Sequence, residues 1–268
     1  MLGKGLLAFG KVCVYTLERS LMLPNTWLRR IIRWAQRSPA DWLYQHGPRA
    51  TLSLPLSWPL FIIGFIFLDV LYTQAPLLPL VSPLARIIQF LVFLAFFLLL
   101  LTIILRWQRL NLRVIGLLTS HWIREALIGL TLSILFILVI MINNSVAGSP
   151  PLLDWISTLS SSQRAWWILE LATRAIVAGI IEETIFRGWV TTFLLTRLTR
   201  RELALWISAV IFGLAHFGQG LKGIAITTVF GYCWGLLYIW RKNLTPTIVV
   251  HTLYNFCLWL GLLGRFLQ

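Results

Sequence analysis

The chain has 268 residues, 58% of them hydrophobic, a mean hydropathy of +0.81 and a formal charge of +14. A soluble domain is roughly 45–50% apolar, so the composition excludes a water-soluble globular protein. Nor does the charge point to nucleic acid, because Lys and Arg gather at the ends of the apolar runs, as the positive-inside rule produces in a membrane protein.

In chain order, residues 1–50 read as a basic, amphipathic cytoplasmic segment. Lys4, Lys11, Arg19, Arg29, Arg30, Arg33, Arg37 and Arg49 outweigh Glu18 and Asp41. Trp27, Leu28, Ile31, Ile32 and Trp34 share one helical side, with arginines interspersed, which is the pattern of a helix lying on an anionic membrane surface. Lys11 interrupts the first apolar run and no cleavage pattern follows, so this N-terminus does not read as a signal peptide.

Residues 51–160 are expected to hold the first transmembrane helices, near Pro55–Tyr72, Ile87–Leu105 and Ala126–Ile142. Runs of about 17–25 apolar residues match the hydrocarbon thickness. Residues 161–268 hold the rest, beginning near Ala165 and continuing at Leu203–His216, Gly223–Trp240 and Thr247–Leu263. Arg106, Arg109, Arg113 and Arg124 place one linker on the cytoplasmic side, and Arg197, Arg200, Arg201, Arg241 and Lys242 mark two further cytoplasmic turns. The linker Asn143–Gln163 has no Lys or Arg and is expected outside, with Trp166 and Trp167 in an interfacial belt. The expected fold is an all-α, polytopic transmembrane bundle of about seven to eight spans around an intramembrane polar cavity. Cys13, Cys233 and Cys257 lack metal or disulfide spacing and read as small hydrophobes. Gly231-x-x-x-Gly235 reads as a close helix approach.

Among nine acidic residues, Glu182 and Glu183 are neighbours inside an apolar stretch, where ionisable groups are costly and by default functional. Glu183 and Arg187 are spaced i,i+4 and can pair on one helical face. Glu182 points about 100° away, has no local counter-charge, and is suited to act as a base. His216 ends Phe212-Gly213-Leu214-Ala215-His216, and His251 lies four residues before Asn255. A Glu pair, a His from a second helix and a His/Asn pair from a third are enough for water activation and oxyanion stabilisation. Each alone has a plainer reading, as an ion-pair staple or a hydrogen-bonded core histidine; the conjunction favours chemistry. Asp69 has no pattern partner and reads as an interhelical hydrogen bond, while Arg174 reads as snorkelling to the outer interface.

Glu-Glu-x-x-x-Arg, Phe-x-x-x-His and His-x-x-x-Asn, in this order on successive apolar segments, resemble the CPBP family of intramembrane endopeptidases. That family includes the type II CAAX prenyl endopeptidases and bacterial Abi-type proteins. The resemblance spans roughly residues 165–262 and implies Glu182 as the water-activating residue, with Glu183 held by Arg187. It further implies that His216 orients or deprotonates the water while His251 and Asn255 hold the oxyanion. No cofactor is expected. Zn²⁺ is the alternative, through Glu182, His216 and His251, but no HExxH helix supplies the usual close His pair.

The expected activity is hydrolysis of a peptide bond in a membrane-associated, conceivably lipidated, substrate. The rivals are a non-catalytic scaffold, immunity or regulatory protein of the same fold, and a proton-relaying transporter. The lipid bilayer is the other partner, and a bacterial inner membrane, or a cyanobacterial or chloroplast one, the expected location. One geometric tension stands out. At 1.5 Å per residue, straight spans leave Glu182, His216 and His251 at different depths, so a bend is expected near Gly188, with Trp189–Leu198 running obliquely.

Overall fold

A computed structural model describes residues 82–110, 112–117, 121–144 and 159–260, all of them helix, turn or short connection, with no strand among the described residues. The basic preamble, the span at 55–72, Asp69, most of the 143–163 linker and the last residues of the chain lie outside them. All described residues belong to the larger of the two units into which the chain divides, Ser38–Gln268.

Helix α1 (Pro83–Trp107) starts where the Ser82 side chain accepts from the Ala85 N–H and Pro83 takes the first helical position, a position where a missing N–H costs nothing. After the turn at residues 110–117 comes α2 (Trp122–Asn144), then α3 (Ser161–Glu183). Ser160 and Gln163 cap α3 reciprocally: the Gln163 N–H donates to the Ser160 hydroxyl and the Ser160 N–H donates to Gln163 Oε1. Such a capping box satisfies two orphan donors and sets the helix start.

Where the sequence suggests a bend, the chain changes helix type and stays helical. Thr184–Thr191 is π-helical and runs directly into α4 (Thr192–Arg197). The wider i→i+5 turn shifts which side chains share a face. Local side chains support it: the Thr191 hydroxyl donates to the Phe186 carbonyl (2.9 Å) and the Thr192 hydroxyl to the Arg187 carbonyl (3.4 Å). Neighbouring helices add to this, since the hydroxyls of Thr191 and Ser208 lie 2.7 Å apart and those of Thr192 and Tyr238 2.8 Å.

Helix α5 (Arg201–Leu214) follows, then a 3₁₀ turn (Phe217–Gln219), α6 (Gly220–Arg241) and α7 (Thr245–Trp259). Helices α5 and α6 pack against each other, and so do α7 with α2, α7 with α3, and α1 with α3. Between membrane helices the lipid offers no hydrophobic drive, so close van der Waals approach and small residues decide the packing. Gly179 of α3 is such a contact: a Cβ there would lie 2.5 Å from Thr252 Oγ1 of α7. The Gly231/Gly235 pair of α6 meets Ala209 and Leu205 of α5, as its spacing suggests.

The surface is as apolar as the interior. On α1, Ile88, Leu91, Val92, Phe96, Leu99 and Ile103 are exposed, while Phe90, Phe97 and Leu101 are buried. Two helical stretches, Pro83–Trp107 and Phe217–Arg241, are each long and apolar enough to cross a membrane. At one end of the bundle Arg241 donates to both oxygens of Glu125 (2.8 and 2.7 Å), and Arg124 donates to the same carboxylate. The Leu244 N–H also donates to the Gly116 carbonyl there. The starts of α2 and α7, the end of α6 and the 110–117 turn therefore share one basic end.

Candidate active site

Glu182 and Glu183 close α3, immediately before the π-helical segment, and both are buried. Their environments differ completely. Glu183 Oε1 is 3.1 Å from Arg187 Nη1 and accepts a 2.8 Å hydrogen bond from His251 Nδ1. Arg187 in turn donates to the Gly231 carbonyl, and its guanidinium lies 4.1 Å from the centre of the Phe212 ring. Stacking on an aromatic face partly replaces the hydration that a buried guanidinium loses. Glu183 and Arg187 thus form an ion-paired structural knot tying α3 to α6 and α7.

Glu182 Oε2, by contrast, makes no hydrogen bond. It lies 3.5 Å from His216 Nε2 and 3.7 Å from His251 Nε2. Both rings are oriented from behind. His216 Nδ1 is 2.8 Å from the Phe212 carbonyl, which can only accept, so Nδ1 carries a proton and Nε2 is turned to Glu182. The His251 Nδ1 proton goes to Glu183 by the same logic. Glu182 Oε2 and the two Nε2 atoms therefore converge on one buried point.

His251 is six residues into α7, about 9 Å from its basic end, and Trp234, which packs on His251 at 4.5 Å, is seven residues from the end of α6, about 10 Å. The His216 ring packs against Phe212, whose ring centre is 4.7 Å away. Asn255 is buried one turn beyond His251 on the same face of α7.

Glu182, Glu183, Arg187, His216 and His251 are thus brought into one cluster, with Asn255 adjoining it along α7. Arg174 stands apart, with its guanidinium 4.4 Å over the Trp259 ring. Among the described residues no group of three His, Cys, Asp or Glu side chains is gathered to hold a metal ion. Sequence reasoning passed over the buried Arg86–Glu170 pair (2.9 Å) between α1 and α3 and the Glu125–Arg241 clamp. The signal for the first was present, since Arg86 and Glu170 are ionisable residues within or beside apolar runs. Trp234 carried no signal, being one of 14 tryptophans.

Residues 164–257 match the family model described as type II CAAX prenyl endopeptidase Rce1-like. Neither a curated protein nor a solved structure matches the chain. The matched segment holds the five clustered side chains and Asn255, and over it the chain is similar to the type II CAAX prenyl endopeptidases of the Rce1-like kind.

Proposed function

We propose that this protein is a polytopic intramembrane endopeptidase in which Glu182 activates water to hydrolyse a peptide bond of a membrane-associated substrate. The observation that carries the reading is the triangle of Glu182 Oε2 with the two histidine Nε2 atoms at 3.5 and 3.7 Å. A water molecule there donates one hydrogen to Glu182 and the other to His216 Nε2, and directs its lone pair at a carbonyl carbon. Attack passes the water proton to Glu182, which returns it to the leaving amine. His251 and Asn255, one turn apart on α7, face the developing oxyanion as donors; His251 enters the step already an imidazolium, its charge balanced by Glu183, and keeps both its protons throughout. Glu183 and Arg187 hold His251 in place and take no part in the proton transfers.

Arginines and Lys242 around the basic end of the bundle mark that end as cytoplasmic by the positive-inside rule. The site then opens about 10 Å below the cytoplasmic surface, which suits a peptide bond just beyond a membrane anchor. The family points to a prenylated C-terminal peptide as the first substrate class to assay. Water activation without metal is the mechanism adopted, since the sequence has no HExxH helix.

The test is proteolysis of plain and farnesylated fluorogenic peptides by detergent-purified wild type, Glu182→Ala and His216→Ala, with and without a zinc chelator. Cleavage by wild type alone, indifferent to chelator, is expected. Loss on chelation with recovery on Zn²⁺ addition would transfer Glu182, His216 and His251 to metal ligation. Equal cleavage by Glu182→Ala would remove the proposed mechanism.

A further inference from the structure

Beyond the three motifs, one buried aromatic residue touches both partners of Glu183. The Trp234 ring covers the His251 imidazole at 4.5 Å with a 33° tilt, and the Arg187 guanidinium lies 5.4 Å from the same ring. Trp234 is itself held: Phe230 stacks on it at 5.8 Å and 17°, and Tyr254 and Phe212 meet it at 5.9 and 6.1 Å. We infer that Trp234 is a positioning residue that sets the plane of the His251 ring, so that Nε2 faces Glu182; this rests on the endopeptidase reading above.

The argument is geometric. One hydrogen bond, from Nδ1 to Glu183, fixes a single point of the imidazole, and the ring can still rock about that bond. The terminal torsion of a histidine is broad and imposes little by itself. A flat surface on one face removes that freedom, and the Phe212 ring, edge-on at 6.0 Å and 88°, limits movement on another side. The 3.7 Å separation between His251 Nε2 and Glu182 then follows from three constraints instead of one.

A residue that only fills space would be replaceable by any side chain of similar volume, whereas a positioning residue needs its flat face. Trp234→Met keeps apolar volume and loses the face; Trp234→Phe keeps a face. For a peptide that wild type cleaves, Trp234→Met is expected to lose about 10²-fold in kcat, the scale of a misplacement near 1 Å, with KM little changed. Trp234→Phe should recover most of the rate. Equal rates in Trp234→Met and wild type, or equal losses in Trp234→Met and Trp234→Phe, would overturn the assignment.

A second readout needs neither cleavage nor a Trp234 variant. In histidine-labelled wild type, the resonance absent from His251→Gln identifies His251. An indole on its face shifts its ring protons upfield of the other three histidines, and an ordinary shift there would equally overturn the assignment. A wild type that cleaves nothing but shows the upfield shift would count against the endopeptidase reading and leave Trp234 as the residue that orients His251.

Discussion

In the proposed mechanism the chain neighbours Glu182 and Glu183 have opposite duties, and the difference is testable by removing charge without removing shape. Glu182→Gln takes nothing from the ion-pair knot, so the protein is expected to fold and to lose activity by about 10²–10⁴-fold, the usual range for a general base. Glu183→Gln instead leaves Arg187 buried without its counter-charge, a loss of about 3–5 kcal/mol in comparable buried pairs. Thermal unfolding in detergent should therefore drop for Glu183→Gln, hold for Glu182→Gln, and partly recover in Glu183→Gln/Arg187→Met. A Glu183→Gln protein as stable as wild type would contradict the structural role given to that carboxylate. At this scale the sequence was most legible. An i,i+4 spacing inside an apolar run already pairs Glu183 with Arg187, and that pair is present at 3.1 Å. The spacing could not reveal that Glu183 also accepts from His251, because that bond joins positions 68 residues apart.

Between elements, the site depends on how closely α7 approaches α3. Gly179 sits four residues before Glu183, and a side chain there meets Thr252, the residue after His251. Gly179→Val is expected to separate the helices at the point where Glu183 and His251 bond. Overpacking of this kind costs about 1–3 kcal/mol, and activity should fall with it. Gly218, with open space around it, is the control: Gly218→Ala should change neither unfolding nor rate. Helix positions were readable from apolar runs where the expected spans fall on described residues, each of these lying within or beside an observed helix. The π-helical segment was not readable. Its difference from an α-helix is one extra residue per turn, and no hydrophobic period over eight residues resolves that. Gly188 and the Thr191-Thr192 pair are the local features that accompany it, and the hydroxyls answer the Phe186 and Arg187 carbonyls.

For the whole molecule, two ion pairs hold the bundle away from the site. Arg86–Glu170 joins α1 to α3, and both side chains are buried. Arg86→Met should destabilise strongly, while Arg86→Met/Glu170→Met should recover most of the loss, since a buried pair replaced by apolar residues is close to neutral. Equal stability of the two variants would contradict that pairing. The Glu125–Arg241 clamp ties the end carrying Arg113, Arg124 and Lys242, the end that the positive-inside rule predicts to be cytoplasmic. Cysteines introduced at Arg113 and Lys242 should react with an impermeant maleimide only from the cytoplasmic side, and one at Gly148 only from the other.

The measurement closest to the central claim is cleavage of a membrane-anchored peptide by purified wild type and Glu182→Gln, matched for unfolding temperature. The account predicts hydrolysis by wild type and a loss of about 10²-fold or more in the folded variant. Cleavage at the same rate by both would mean that the carboxylate facing the two histidines is not the base.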